Sequence, residues 1–312
     1  MASRKKEEKR SSPLTIILLL IVVLLAFLWQ RYGDKLGLPD IFGDVKKYPT
    51  QTVPVPEGDE ALFHIIDVGQ GDAILVTTTS GNMLIDTSEG GAEYELAAYL
   101  EAANITEFEY VIFTHPDYDH IGNSVYVIEN YTIKNLIMTD CVADSKTYEN
   151  MIDAIEKHDQ INVIRAESGY EFVLGALHNV IIAPNDEYKD VNEMSIVIKS
   201  TFGDTSIMLT GDAETKSEAD ILDVWGESVL DCDVLKVGHH GSKTSTTEEF
   251  LEAVSPTIAV ISCGEGNRYG HPHPETIERL EQKGITVYRT DIDGSVVLKT
   301  DGKTFTVVSP QK

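Results

Sequence analysis

Three separate apolar runs end in metal-ligating residue types, and this limits what the chain can fold into more than any other feature. Val111-Ile112-Phe113 leads into Thr114-His115-Pro116-Asp117-Tyr118-Asp119-His120. Ile207-Met208-Leu209-Thr210-Gly211 ends at Asp212, and Val234-Leu235-Lys236-Val237-Gly238 ends at His239-His240. Short apolar runs read as buried strands, so three strand ends carry ligand types. His115, Asp117, Asp119 and His120 cannot share one face of a strand or helix. Their segment is therefore a loop whose side chains converge, and a divalent cation satisfies two imidazoles and two carboxylates together. A solvated turn is the ordinary fate of a single His or Asp after a strand, but not of this grouping.

With 42% hydrophobic residues in a chain of 312, one large domain with a substantial core is expected. Strands are predicted near 61 to 67, 73 to 79 and 82 to 86, a helix near 93 to 103, strands at 110 to 114 and 134 to 139, and a helix near 145 to 157. Residues 178 to 212 read as consecutive strands, with Gly203-Asp204 as a hairpin turn. Helix and strand alternation resumes through 233 to 237, 257 to 261 and 285 to 289, and a helix opens at Glu275 behind His271-Pro272-His273-Pro274. Consecutive strands interrupted by helices predict an α/β chain of α+β type, with two sheets covered by outer helices.

Six blocks in order through residues 61 to about 300 resemble the metallo-β-lactamase fold superfamily, and most closely the hydrolase domain of ComEC-type competence proteins. They are His64-Ile65-Ile66-Asp67-Val68-Gly69-Gln70-Gly71-Asp72, Leu84-Ile85-Asp86-Thr87, the His115 loop, Leu209-Thr210-Gly211-Asp212, Lys236-Val237-Gly238-His239-His240-Gly241-Ser242-Lys243-Thr244, and Asn267-Arg268-Tyr269-Gly270-His271-Pro272-His273-Pro274-Glu275. The resemblance implies a four-layer αββα sandwich over residues 60–312. It also implies a metal centre of one or two ions: His115 and Asp117 in one position, Asp119 and His120 in the other, Asp212 bridging, and His239 or His240 completing the second. Register does not show which of those two ligates. The superfamily commonly has a His in the middle of the loop, where Asp117 stands, and a further ligand His before the bridging Asp. Between His120 and Asp212 only His158 and His178 occur, in surface-like settings, while the corresponding region reads Asn192-Glu193-Met194-Ser195. An oxygen-richer first position leans towards Mn²⁺, with Zn²⁺ and Mg²⁺ left open, and weakens one position relative to the other.

The remaining candidates surround this set. Asp67 is expected to accept the free N–H of a ligand imidazole and fix its tautomer, and Asp72 to face substrate or a water; Asp86 is either a turn cap or part of the same support. Asn192 and Ser195 belong with them. His271 is expected to contact the scissile group or protonate its leaving oxygen, with His273 beside it. Ser242 and Lys243 offer a phosphate contact, although such a turn is ordinarily just solvated.

Residues 1–13 are basic and 14–30 form an apolar run whose flanks, Trp29 and Arg31, suit a retained signal anchor better than a cleaved leader. Five cations before the run put the N-terminus in the cytoplasm and the hydrolase domain outside the cell membrane, on a stalk from 31 to 59 with Pro39, Pro49, Pro54 and Pro56. Those first 29 residues hold five basic and two acidic side chains, so the −26 of the whole chain becomes −29 over the remainder. So acidic a domain does not bind nucleic acid tightly by phosphate neutralisation, but bound cations can still hold a scissile phosphate. Cys141, Cys232 and Cys263 form no disulfide framework and suit small core thiols.

The expectation is a single-pass, membrane-anchored, metal-dependent phosphodiesterase: an extracellular nuclease (DNase) using metal-activated hydroxide, linked to DNA uptake or degradation. Asp119, Asp212 and His271 carry its catalysis, and nucleic acid is a substrate that is not tightly bound. ComEC-type proteins also have a multi-helix channel, which a single span does not supply, so the resemblance bears on catalysis more than on uptake. Two alternatives stay open. One is a metallo-hydrolase of another exposed substrate, such as a phosphodiester of an envelope polymer; the other is a non-catalytic metal-binding interaction domain.

Overall fold

The computed structural model describes residues 53–310. The expected basic tail, the apolar run at 14–30 and the stalk as far as residue 52 lie outside them. Among the described residues no helix is long and apolar enough to cross a membrane.

Among the described residues, fifteen strands build two sheets. The first half of the chain supplies β1 (Ala61–Ile65), β2 (Ile74–Thr78), β3 (Gly81–Ile85), β4 (Glu107–Phe113), β5 (Thr132–Met138) and β6 (Asn162–Arg165). Then come β7 (Glu171–Leu174), β8 (Leu177–Ala183), β9 (Val197–Phe202), β10 (Thr205–Leu209), β11 (Val234–Lys236), β12 (Ile258–Ile261) and β13 (Thr286–Arg289), and finally β14 (Val296–Thr300) and β15 (Phe305–Pro310). The eight-stranded sheet has the order β15-β14-β1-β2-β3-β4-β5-β6, and the seven-stranded sheet β13-β12-β11-β10-β9-β8-β7. Each sheet is antiparallel in one part and parallel in another: β3 to β6 and β10 to β13 run parallel.

Strand alternation explains the layering, because successive side chains point to opposite faces. Met83 and Ile85 face inwards with Ile112, Ile198, Ile207 and Val260, forming the core between the sheets. Leu84, Val111 and Phe113 face outwards, under Leu96, Leu100 and Val127. On the other side Met208, Leu235 and Ala259 face Ile221, Phe250 and Leu280. Three apolar layers thus separate four layers of secondary structure, the αββα arrangement. Val53 already packs in the first outer layer, so the chain joins the domain before β1.

The predicted elements occur within a few residues of their expected places. Gly203-Asp204 is the two-residue link between β9 and β10, with Phe202 paired to Thr205 and Gly203 at φ +60°. Local chemistry sets the helix starts. Ser145 caps helix Lys146–Lys157 by accepting the Tyr148 N–H, and Pro274 opens helix Pro274–Gln282, where an absent N–H costs nothing. Short β6 and β7, and the closing pair β14–β15, carry no comparable signal in the sequence. Strands β6, β7 and β15 lie at sheet edges, and β14 pairs with β1, far away in the chain.

Candidate metal centre

The ligand types meet where several strands of both sheets end. β4 delivers the His115 loop, β10 delivers Asp212, and β11 delivers His239-His240. Asp72 comes from the turn before β2, and Asp86 from the end of β3. At the centre lies Asp212 Oδ2, with His120 Nε2 at 3.3 Å, His240 Nε2 at 3.4 Å and His239 Nε2 at 3.6 Å. His240 Nε2 is also 3.4 Å from Asp119 Oδ2, and His115 Nε2 is 3.9 Å from Asp117 Oδ2. The His115 and His120 rings lie 4.1 Å apart.

These residues fit a divalent metal. The Nε2 atoms of His115, His120 and His240 are buried without a hydrogen-bond partner, an arrangement proteins seldom tolerate unless something else satisfies the atoms. Bonds of about 2.1 Å at a tetrahedral angle place ligand atoms about 3.4 Å apart, close to the separations around Asp212 Oδ2. Of the four groups that converge among the described residues, two hold the expected loop ligands: His115, His120 and Asp212, and Asp119, His120 and His240. The second is joined by Asp212 and is the better furnished, while the first depends on the more exposed Asp117 for a further ligand.

Of the neighbouring pair, His240 and not His239 joins the converging groups. Its side chain is 1% exposed against 22% for His239, and its Nδ1 donates to Ser262 O at 2.9 Å, which frees Nε2 for a metal. The two residues occupy left-handed backbone at φ 46° and 53°, a costly conformation for non-glycine residues that turns neighbouring side chains in different directions. Gly71 meets a related demand: at φ +111° a Cβ there would lie 2.2 Å from Asp119 O.

Asp86 holds His120. Its Oδ2 accepts His120 Nδ1–H at 2.7 Å and Thr114 Oγ1–H at 2.6 Å, while Oδ1 accepts Thr114 N–H at 2.8 Å. Ser195 ties two ligand loops together, its Oγ accepting Asp212 N–H at 3.0 Å and lying 3.3 Å from His115 Nδ1. Asn192 forms the preceding turn, its carbonyl accepting Ser195 N–H. The neighbouring Glu193 accepts the N–H groups of Lys216 and Ser217 at the start of helix Thr215–Val224, just after Asp212.

Several expectations are corrected. Asp67 is exposed and accepts the Gly69 N–H; fixing a ligand tautomer falls to Asp86. Asp72 does not face substrate: it is buried, 2.5 Å from Lys236 Nζ. Ser242 is buried too, and its Oγ pairs with Thr244 Oγ1, which donates to Glu214 Oε1 at 2.6 Å. Glu214 in turn lies 2.7 Å from His239 Nδ1, so Ser242 supports an imidazole and is not placed to hold a phosphate. The Lys243 side chain is exposed while its N–H donates to His273 Nδ1 at 3.0 Å. His271 lies over the centre, its ring 5.3 Å from that of His239 and 6.2 Å from that of His240. His178 pairs with Glu171, and His158 with Ala154 O, both away from the centre. Lys236 and Glu214 went unnoticed in the sequence, although a lysine inside the apolar run Val234 to Val237 was a signal.

Opposite charges in the centre offset the effect of burial. Burial by itself lowers the His120 imidazole, but Asp212 and Asp86 outweigh it and hold the group well above its usual value. His240 is raised in the same way against burial, chiefly by Asp212 and Asp119. Burial would raise Asp212, yet His240 and His120 keep it well below the usual carboxylate range. His115 is lowered to about 3 by burial and by neighbouring His120, so it meets a metal as a neutral imidazole.

A two-sheet sandwich with this donor set at its strand ends defines the class, and the comparison agrees. The sequence profile of the metallo-beta-lactamase superfamily matches residues 66–265, and the chain belongs to that superfamily. Its relatives are ComEC-type competence proteins. The chain is 32% identical to ComE operon protein 3 of Bacillus subtilis over 272 residues, covering 80% of this chain and 35% of that protein. It is 35% identical to Recombination protein 2 of Haemophilus influenzae over 237 residues, covering 74% and 28% respectively. Competence protein ComA of Neisseria gonorrhoeae is 31% identical over 245 residues, with 78% and 32% covered. The chain thus spans about a third of the length of these relatives. Among solved structures, the metallo-beta-lactamase fold protein YhfI of Bacillus subtilis superposes with a TM-score of 0.53 at 12% identity, covering 78% of this chain and 100% of that one. That likeness shows the fold.

Proposed function

We propose that the protein is a metal-dependent phosphodiesterase acting as a nuclease, tethered by residues 14–30 with its N-terminus in the cytoplasm and the hydrolase domain outside the cell. The observation that carries the hydrolytic reading is the convergence of the unpartnered imidazole nitrogens of His115, His120 and His240 around Asp212. Nucleic acid as substrate is supported by the names of the relatives, competence proteins and a recombination protein.

When bound, one or two divalent ions supply Lewis acidity, polarising a phosphoryl oxygen and lowering the pKa of water towards about 7. Mn²⁺ suits the Asp117, Asp119 and Asp212 oxygens, and Zn²⁺ the imidazoles. His115, Asp117 and Asp212 would hold one position, and Asp119, His120, His240 and Asp212 the other. Asp86 keeps the His120 proton on Nδ1, and Ser262 O does the same for His240, so both present Nε2. His271 waits above. Burial lowers its imidazole to about 4, with His239 and His240 adding to the effect, so at neutral pH it hydrogen-bonds a phosphoryl or leaving oxygen or accepts a proton. Arg268, lying over the Tyr269 ring, interacts electrostatically with Asp119 and offers it positive charge in a very acidic domain.

The test strips the solubilised full chain of metal and reloads it with Mn²⁺, Mg²⁺ or Zn²⁺. Single-stranded DNA, double-stranded DNA, RNA and bis-p-nitrophenyl phosphate are then offered, with Asp212→Ala as control. Metal-dependent cleavage of nucleic acid that disappears in the control is the expected result. Cleavage of the small phosphodiester alone points to an envelope polymer, and metal binding without turnover to an interaction domain; either overturns the nuclease reading.

A further inference from the structure

Lys236 occupies a position that strand alternation assigns to the core. Val234, two residues earlier on β11, packs between the sheets, and Lys236 points the same way. It is 0% exposed. Its Nζ lies 2.5 Å from Asp72 Oδ2, donates to Gly211 O at 2.9 Å, and lies 3.8 Å from Asp212 Oδ1. A buried ammonium costs several kcal/mol in desolvation unless paired and hydrogen-bonded, and here it has both kinds of partner.

The location is informative because the same atoms form a third group with metal-ligand geometry. Asp72, Asp212 and His240 have ligand atoms within 4.8 Å of one another, as do Asp72, Asp86 and His120, and His240 Nδ1 is 3.5 Å from Asp72 Oδ1. Judged on donor types, this group would compete for a cation. We propose that the Lys236 ammonium is a resident cation held between the Asp72 and Asp212 carboxylates of that cluster. It keeps a metal ion out of that cluster and leaves Asp212 to offer Oδ2 alone to the metal centre. Asp212 divides accordingly: Oδ2 faces the imidazoles of His120, His239 and His240, while Oδ1 faces Lys236. Asp72 is the counter-charge that holds the lysine in place, which makes Lys236 and Asp72 positioning residues.

The test uses Co²⁺ alone as probe, with metal per chain and visible absorption as readouts, since absorption follows the number and kind of ligands. In Lys236→Met the cluster is released, and one additional Co²⁺ per chain is expected, together with an altered spectrum. Adding Asp72→Asn to that variant removes the extra ligand and returns the count to that of the native protein. A folded Lys236→Met protein that binds the native number of ions overturns the proposal, whatever happens to affinity. Should the single variant fail to fold, the double variant, which removes both buried charges together, is read instead. Its Asp212 Oδ1 is then unopposed and the Co²⁺ absorption changes, whereas a native spectrum overturns the proposal.

Discussion

Replacing Asp86 with Asn separates the geometry of the centre from its proton arrangement. The backbone at Asp86 has φ 60°, which Asn adopts readily, so the substitution introduces no new strain. The carboxylate accepts three hydrogen bonds, from Thr114 N–H, Thr114 Oγ1–H and His120 Nδ1–H. An amide cannot accept all three. If its oxygen serves the Thr114 N–H, its NH₂ faces His120 Nδ1, which must give up its proton and carry it on Nε2, the atom that ligates. If the amide flips, the NH₂ opposes the Thr114 N–H and leaves a buried donor unsatisfied, at about 1–3 kcal/mol. Metal binding selects the flipped form, so that penalty is subtracted from affinity. At 1.4 kcal/mol per tenfold it amounts to about 5- to 150-fold weaker binding, in line with the roughly 10–100-fold cost of losing a partner that orients a ligand. Competition with a chromophoric chelator at pH 7.5 measures it, and thermal unfolding of the metal-free protein confirms the fold. A folded Asp86→Asn protein with native affinity would refute the tautomer argument.

Two further outcomes follow from the same geometry. His240→Ala should lose metal at least tenfold more readily than the native protein, while His239→Ala should keep its metal and lose turnover; equal loss of metal from both, measured by elemental analysis after dialysis, would reverse the assignment. The pH dependence has a defined sign. In the metal-free protein His120 and His240 are raised, against burial, by the Asp212, Asp86 and Asp119 carboxylates. Their stabilising contribution is therefore complete below about pH 6.5, the unfolded value, and is lost as pH rises through the folded values. Metal needs both Nε2 atoms free of protons. The melting temperature gained on adding metal should accordingly widen from pH 6 to pH 8.5, and a gap that stays constant would contradict the protonation assigned to these imidazoles.

The chemistry of the centre was legible in the sequence because it is local. His115, Asp117, Asp119 and His120 sit together behind one apolar run, and Asp212 and the His239-His240 pair each follow another, so type and spacing sufficed to single out the group. Short apolar runs likewise located most strands, and Gly203-Asp204 the hairpin. What tertiary structure alone decided is how charges far apart in the chain are paired. Asp86 and His120 are 34 residues apart and His239 and Glu214 are 25 apart, and nothing along the chain distinguishes Asp86 from Asp67 as the carboxylate that holds an imidazole. The choice between His239 and His240 depended on two left-handed backbone positions, and the role of Asp72 on a lysine from the other sheet. Burial makes such pairings decisive: an unpaired charge between two sheets costs several kcal/mol, and only the packing of the sheets determines which partner is within reach.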